Sequence, residues 1–323
     1  MVEHEVTFAG RRVTVLGLGF LGYYLAARLH ELGADVIVLT RRRHQPVIDQ
    51  LPRGIPVVEG DIRRHEDVRL AIDGTTAVFN VCGLSGTVSS NADPAGDLSV
   101  NCGGVLTVLD SVRRSQPQAR VVFAGSRLQF GPPIALPVAE DHPQHPTSFY
   151  GIHKMAAEAY HLAYWRLHGV KTTVLRLANP YGFAPAGPQS GYNILNNFVQ
   201  LALEDRDIEV FSPGRQTRDY VHVSDVVDVF LRAATDDRAV GESFNIGSGV
   251  ETRLIDAAET ITKAVGRGRV KLTPWPEHYL ATETGDFVYN IDKAHRLLEW
   301  QPRVSFEEGI KITIDRARRE LTL

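Results

Sequence analysis

Tyr150 and Lys154 stand four residues apart in the run Tyr150-Gly151-Ile152-His153-Lys154. On a helix that spacing puts a phenol and an ammonium on one face, where the cation lowers the phenol's pKa. A tyrosine so activated takes or gives a proton at a carbinol carbon. Spacing alone decides nothing, because the chain has ten tyrosines and Tyr289 with Lys293 makes a second match. Ser126 separates the two. It ends the apolar run Val121–Phe123, at the edge where the crevice of a doubly wound sheet opens, and its hydroxyl is placed to hydrogen-bond the reacting oxygen. Tyr289 has no such partner and reads as structural. The candidate catalytic residues are Ser126, Tyr150 and Lys154.

Proton transfer at a carbinol needs a hydride partner, and the N-terminal segment provides for one. Gly17-Leu18-Gly19-Phe20-Leu21-Gly22 follows the apolar run Val13–Leu16 directly and opens a helical pattern. A tight turn, close backbone approach to a pyrophosphate, helix–strand packing and helix N-terminal donors are what a dinucleotide-binding loop requires there. In NAD-binding loops an acidic residue about 20 residues on holds the ribose. Here that place is Thr40, followed by Arg41, Arg42 and Arg43, donors suited to a 2′-phosphate. This favours NADP over NAD; the alternative is a solvated basic loop. Asp61 and Ile62, after the third strand, are placed to meet the adenine.

The elements that must position these groups follow a regular alternation. Val13–Leu16, Asp35–Leu39, Val57–Val58, Ala77–Val81, Val121–Phe123 and Thr172–Leu175 read as buried strands. Helical patterns over Phe20–Leu32, Asp67–Ile72, Leu98–Arg114 and Phe149–Leu167 lie between them, which predicts an α/β, Rossmann-type doubly wound parallel sheet. After about Asn179 the rhythm changes, with Asn179-Pro180-Tyr181-Gly182 and the Gly/Pro-rich Ala184–Gly191 as punctuation. The division expected is residues 1–180 as a dinucleotide-binding domain, with a return segment near 219–247, and 181–323 as a smaller C-terminal α/β substrate domain. At 323 residues and 43% hydrophobic the chain has material for a sizeable core. A formal charge of −3 lacks the basic excess that nucleic-acid binding needs. The uncharged stretch Val13–Ala27 is too short for a membrane span. Cys82 and Cys102 make neither a disulfide framework nor a zinc site, and a reducing, cytoplasmic setting is expected.

Taken in order, these motifs resemble the extended short-chain dehydrogenase/reductases, specifically the NAD(P)-dependent nucleotide-sugar epimerase/dehydratase family. Besides the glycine loop, the resemblance is carried by Gly60-Asp61-Ile62, Asn101, Ser126 ahead of Phe130-Gly131, Tyr150/Lys154, and Leu177-Ala178-Asn179-Pro180-Tyr181-Gly182. It continues in Arg218-Asp219-Tyr220-Val221-His222, Phe244-Asn245-Ile246-Gly247 and Gly285-Asp286. It implies Ser126, Tyr150 and Lys154 as the reaction triad, Asn101 as a cofactor-side contact, and Asn179, Asn193, Phe211 and Arg218 as contacts for a nucleoside diphosphate. It also implies an isologous homodimer built on the helices Leu98–Arg114 and Phe149–Leu167.

The family's 4,6-dehydratases carry an Asp-Glu pair directly after the Ser/Thr, and its sugar-acid decarboxylases a glutamate at the second of those places. Here they hold Arg127 and Leu128, neither of which is an acid or base at neutral pH. Two reactions need only the triad: epimerisation, most simply at C4, through a transient ketone, and net reduction of a stable keto sugar. The long stretch Asn80–Asn101 favours the epimerase, for which tightly bound NAD is the family default, while Thr40–Arg43 pulls towards exchangeable NADPH and a reductase. A dinucleotide-sensing regulator is the non-enzyme reading, and an intact triad argues against it. Two departures stand out. Glu283 occupies a place where many relatives have an arginine against the pyrophosphate, and His153 one where a small serine is common; His153 is expected on the helix exterior. Asp141, His142 and His145 read as a solvated loop, so no metal site is expected. Trp275 either lines the substrate pocket or caps the smaller core.

Overall fold

The computed structural model describes residues 7–185, 194–276 and 283–320. Its strands, in chain order, are β1 (Arg12–Leu16), β2 (Asp35–Thr40), β3 (Val57–Glu59), β4 (Ala77–Asn80), β5 (Arg120–Ser126) and β6 (Thr172–Leu177). They continue as β7 (Asn179–Tyr181), β8 (Asp207–Phe211), β9 (Thr217–His222), β10 (Ser243–Ile246), β11 (Glu251–Arg253) and β12 (Arg269–Thr273).

Seven of these form one parallel sheet in the order β10-β6-β5-β4-β1-β2-β3. The order reverses between β1 and β4, so a crevice opens at the strand carboxyl ends there. Register is set by apolar residues buried on both faces: Val13 pairs with Val36 and with Ala77, and Val121 with Thr172. One face packs on the helices Phe20–Glu31 and Val223–Ala233, with Leu25, Leu29, Val226 and Phe230 buried between them. The other packs on His65–Ala71, Val105–Ser115 and Phe149–His168, around Val68, Val108, Val112 and Ala157. β10 pairs with β6 at the sheet edge.

A second core gathers Phe198, Val199, Ile208, Val210, Ile261 and Ile314 under two small sheets, β11-β9-β7 and β12-β8. β7 and β9 place Asn179 and Arg218 over the crevice. Among the described residues, no helix is long and apolar enough to cross a membrane.

One element departs from the pattern read in the sequence. The span predicted as a single helix over Leu98–Arg114 is broken: an α-helix Pro94–Leu98, a π-helical segment Ser99–Gly104, then the α-helix Val105–Ser115. Gly103 and Gly104 hold α-geometry weakly, and Ile62 presses where a Cβ on Gly104 would sit, 2.5 Å away. Such bulges recur at functional sites, and this one carries Asn101.

Candidate active site

The glycine loop joins β1 to the helix Phe20–Glu31 as expected of a dinucleotide cradle. Gly17 sits at φ +101°, and a Cβ on Gly22 would stand 1.8 Å from the Gly17 carbonyl oxygen, so the turn closes only with glycine at both places. Gly19, Phe20, Leu21 and Gly22 line a cleft of about 410 Å³ at the β1/β4 crevice. Ser126, Tyr150 and Lys154 line the same cleft.

Ser126 ends β5 and caps the single turn Arg127–Gln129: its Oγ accepts the Leu128 N–H at 3.2 Å, while Gln129 Oε1 accepts the Ser126 N–H at 3.3 Å. Reciprocal capping fixes the hydroxyl's direction. Tyr150 and Lys154 lie in the first turns of Phe149–His168, a helix started by Ser148 Oγ, which accepts the Gly151 N–H at 3.1 Å. Lys154 Nζ donates to the Ala124 carbonyl at 2.8 Å and lies 5.8 Å from the Tyr150 ring centroid. Both side chains are buried. Burial pulls the Lys154 pKa down to about 8, against the opposing influence of Cys82, Asp97 and Cys102.

Asn101, on the π-helical segment, is buried and does not line the cleft itself; it bonds Leu84, which does. Its Oδ1 accepts the Leu84 N–H at 3.1 Å and its Nδ2 donates to the Leu84 carbonyl at 3.0 Å and to Asp97 Oδ1 at 2.9 Å. It thereby holds the strand-end segment Gly83–Leu84 beside the glycine loop. Asn179 lines the cleft from the other side, and its buried Oδ1 has no hydrogen-bond partner among the described residues, an acceptor left for a ligand. Glycine cradle, buried lysine and orphaned amide together fit a dinucleotide and a polar substrate.

Residues 13–247 match the NAD dependent epimerase/dehydratase family. The chain belongs to that family. A UDP-glucose 4-epimerase of Mycolicibacterium smegmatis is 31% identical over 241 residues, 74% of each chain. The structure of UDP-glucose 4-epimerase with UDP-glucose from Thermotoga maritima superposes with a TM-score of 0.89 at 28% identity, covering 96% of this chain and 99% of that one. Thermus thermophilus UDP-glucose 4-epimerase, in complex with NAD, gives a TM-score of 0.85 at 26% identity, covering 95% and 99%. The protein is therefore one of the extended short-chain dehydrogenase/reductases, a family of NAD-dependent enzymes that modify nucleotide sugars.

Several family positions take their own form here. Thr40, Arg41 and Arg42 stand at the carboxyl end of β2; both arginines are exposed, and Thr40 Oγ1 donates to the Arg42 carbonyl at 3.2 Å. Asp61 is paired to Arg63, whose hydrogen bonds hold its carboxyl below the usual range. Ile62 is buried against Gly104. Phe211 packs on Trp275, ring centroids 4.9 Å apart, and Trp275 Nε1 donates to the Ser212 carbonyl, so Trp275 caps the end of β8. Asn193 lies outside the described residues.

Glu283 lies in the cleft and is held by Arg218, Nη2 to Oε1 at 2.6 Å, with the Gly285 N–H on the same oxygen. The carboxylate that would repel a pyrophosphate is thus already paired with a cation. His153 does not face outward. It is buried, its Nδ1 2.6 Å from Asp97 Oδ1, because Pro94–Leu98 packs across this face of Phe149–His168 and covers it. Two site features escaped the sequence reading: Asp97, signalled only by its four-residue spacing from Asn101, and the burial of the Arg127 cation directly after Ser126. His142 accepts the Ile134 N–H through Nε2 at 3.0 Å and pins its own loop.

Proposed function

We propose that the protein is a nucleotide-sugar 4-epimerase that works through a transient keto sugar on a retained nicotinamide dinucleotide. The observation that carries this reading is the convergence of Ser126, Tyr150 and Lys154 on the glycine-loop cleft with no acid or base at positions 127 and 128. When bound, the nicotinamide accepts a hydride and returns it. Gly17 to Gly22 would take the pyrophosphate, while Thr40, Arg41, Arg42, Asp61 and Ile62 flank the adenosine end. Lys154 and Asn101 would hold the nicotinamide side. Tyr150 takes the proton from the sugar hydroxyl and later gives it back, with Lys154 favouring the phenolate and Ser126 bonding the reacting oxygen. Asn179 and Arg218, with Asn193 and Phe211, are the proposed contacts for the nucleoside diphosphate, and the UDP-sugar named for the Thermotoga maritima structure makes uridine the first nucleotide to try.

Exposed Arg41 and Arg42 favour a second reading, an NADPH-dependent keto-sugar reductase. Denaturing fresh protein and identifying the released nucleotide separates the two. Near-stoichiometric dinucleotide, with interconversion of UDP-glucose and UDP-galactose without added cofactor, supports the epimerase. An empty protein that turns over a keto sugar only with added NADPH supports the reductase. Binding of neither dinucleotide sinks both.

We further propose a homodimer through Phe149–His168 and the span Leu98–Arg114, where Leu98, Phe149, Ile152 and Leu167 are exposed. Both cysteines are free thiols, and we place the reaction in the cytoplasm.

A further inference from the structure

Among the described residues, Arg127 carries a charge that no carboxylate pairs. Its side chain is only 8% exposed. Among the described residues it donates one hydrogen bond, from Nη1 to Thr284 Oγ1 at 3.0 Å, and its guanidinium carbon lies 5.2 Å from the Phe287 ring centroid. A guanidinium has five N–H donors and stays charged at neutral pH. Burial and the nearby Arg218 pull its pKa down to about 10, which still leaves it cationic there.

The acid that opposes this cost is Glu283, and it is already committed to Arg218 at 2.6 Å. Among the described residues of the cleft, Arg127, Lys154 and Arg218 therefore face one carboxylate. Buried cations are retained where something pairs with them, so an anionic group of the ligand is the missing partner. Its place follows from the chain. Arg127 is bonded directly to Ser126, whose hydroxyl meets the reacting oxygen, so Arg127 serves the sugar. Arg218, on β9 in the other half of the molecule, serves the diphosphate.

We propose that Arg127 receives a carboxylate on the sugar, so that the preferred substrate is a nucleoside diphosphate uronate in place of a neutral hexose. This rests on the nucleotide-sugar reading above. A planar guanidinium matches a carboxylate two bonds at a time, whereas it gains little from a primary hydroxyl at the same place.

The test is calorimetric titration of the cofactor-loaded protein with UDP, UDP-glucose and UDP-glucuronate, for wild type, Arg127→Gln and Arg127→Lys. The expected result is that wild type binds UDP-glucuronate about tenfold or more tightly than UDP-glucose. Arg127→Gln should lose that preference and Arg127→Lys keep part of it, with affinity for UDP unchanged. Equal wild-type affinity for the two sugars overturns the proposal without reference to any variant, and leaves the epimerase reading standing. A uniform loss across all three ligands in Arg127→Gln also overturns it, because Arg127 would then serve the diphosphate. Binding of none of the three ligands overturns the nucleotide-sugar reading and this proposal together.

Discussion

The chain contains the same tyrosine–lysine spacing twice, and the two copies have opposite surroundings. Tyr150 and Lys154 ride one helix into a cleft, and among the described residues Lys154 Nζ has a carbonyl oxygen for a partner and no carboxylate. Tyr289 instead packs its ring against Phe130 and Phe287, and Lys293 Nζ is neutralised by Glu242 Oε2 at 2.8 Å with the Ser243 carbonyl alongside. Tyr289 lies on an isolated bridge to Val138 and Lys293 in the following helix, so the four-residue spacing does not bring phenol and ammonium onto one helical face. The structural copy pairs its charge in a direct ion pair, and the site copy keeps a buried one with no direct ion pair among the described residues. Spacing creates a pair; burial and the lack of a counterion decide what the pair can do.

The largest effect should separate the two tyrosines. Tyr150→Phe removes the proton carrier and should lower turnover by at least about a hundredfold, with the fold intact by circular dichroism. Tyr289→Phe removes a buried hydroxyl that has no hydrogen-bond partner, so turnover should stay within about twofold and stability should hold or rise. Comparable losses of turnover in both variants would erase the distinction drawn from their surroundings.

The lysines should differ in the opposite sense when stability is read. Lys154 has its pKa drawn from 10.5 to about 8 by burial, so below pH 8 the fold carries a buried cation that the unfolded chain solvates freely. Between about pH 8 and 10.5 the unfolded chain binds a proton that the folded cleft has released, so stability rises with pH across that window. Lys154→Met should therefore raise the melting temperature at pH 7, by an amount on the order of a few kcal/mol of folding free energy, while abolishing turnover. The gain should shrink as pH climbs past 8. Lys293→Met breaks a partly exposed ion pair and should cost at most about 1 kcal/mol. Scanning calorimetry at matched dinucleotide occupancy checks both.

Much of this arrangement is legible before folding, and the reason is local. Strands buried on both faces read as largely apolar runs, so Val13–Leu16 and Thr172–Leu175 announce the parallel sheet. A glycine loop between strand and helix, and a tyrosine and lysine within one helical turn, are also local patterns. What stays hidden is made by contacts between distant segments. His153 meets Asp97 across 56 positions, Arg218 meets Glu283 across 65, and Arg127 meets Thr284 across 157. Periodicity places His153 on a face of its helix, but it carries no information that Pro94–Leu98 covers that face. Nor does helical spacing over Leu98–Arg114 reveal that Ile62 and the Gly103-Gly104 pair turn its start into a π-helical segment.

The smallest predicted effect reaches the site copy through that hidden contact. Asp97 accepts hydrogen bonds from both Asn101 and His153, and its charge also helps keep Lys154 protonated. Since the lysine acts as a cation, kcat/KM should fall as pH rises through about 8 in the wild type. Asp97→Asn withdraws a negative charge that favours the protonated lysine, so the alkaline limb should move to lower pH, by a fraction of a unit to about one unit. It also disturbs a buried polar pair, at about 1–3 kcal/mol of stability, so loss of activity alone would say little. The direction of the limb is the discriminating readout, because a purely structural Asp97 would scale the whole profile without displacing it. An alkaline limb that stays in place, or moves to higher pH, would show that Lys154 titrates independently of the Asp97–His153 contact.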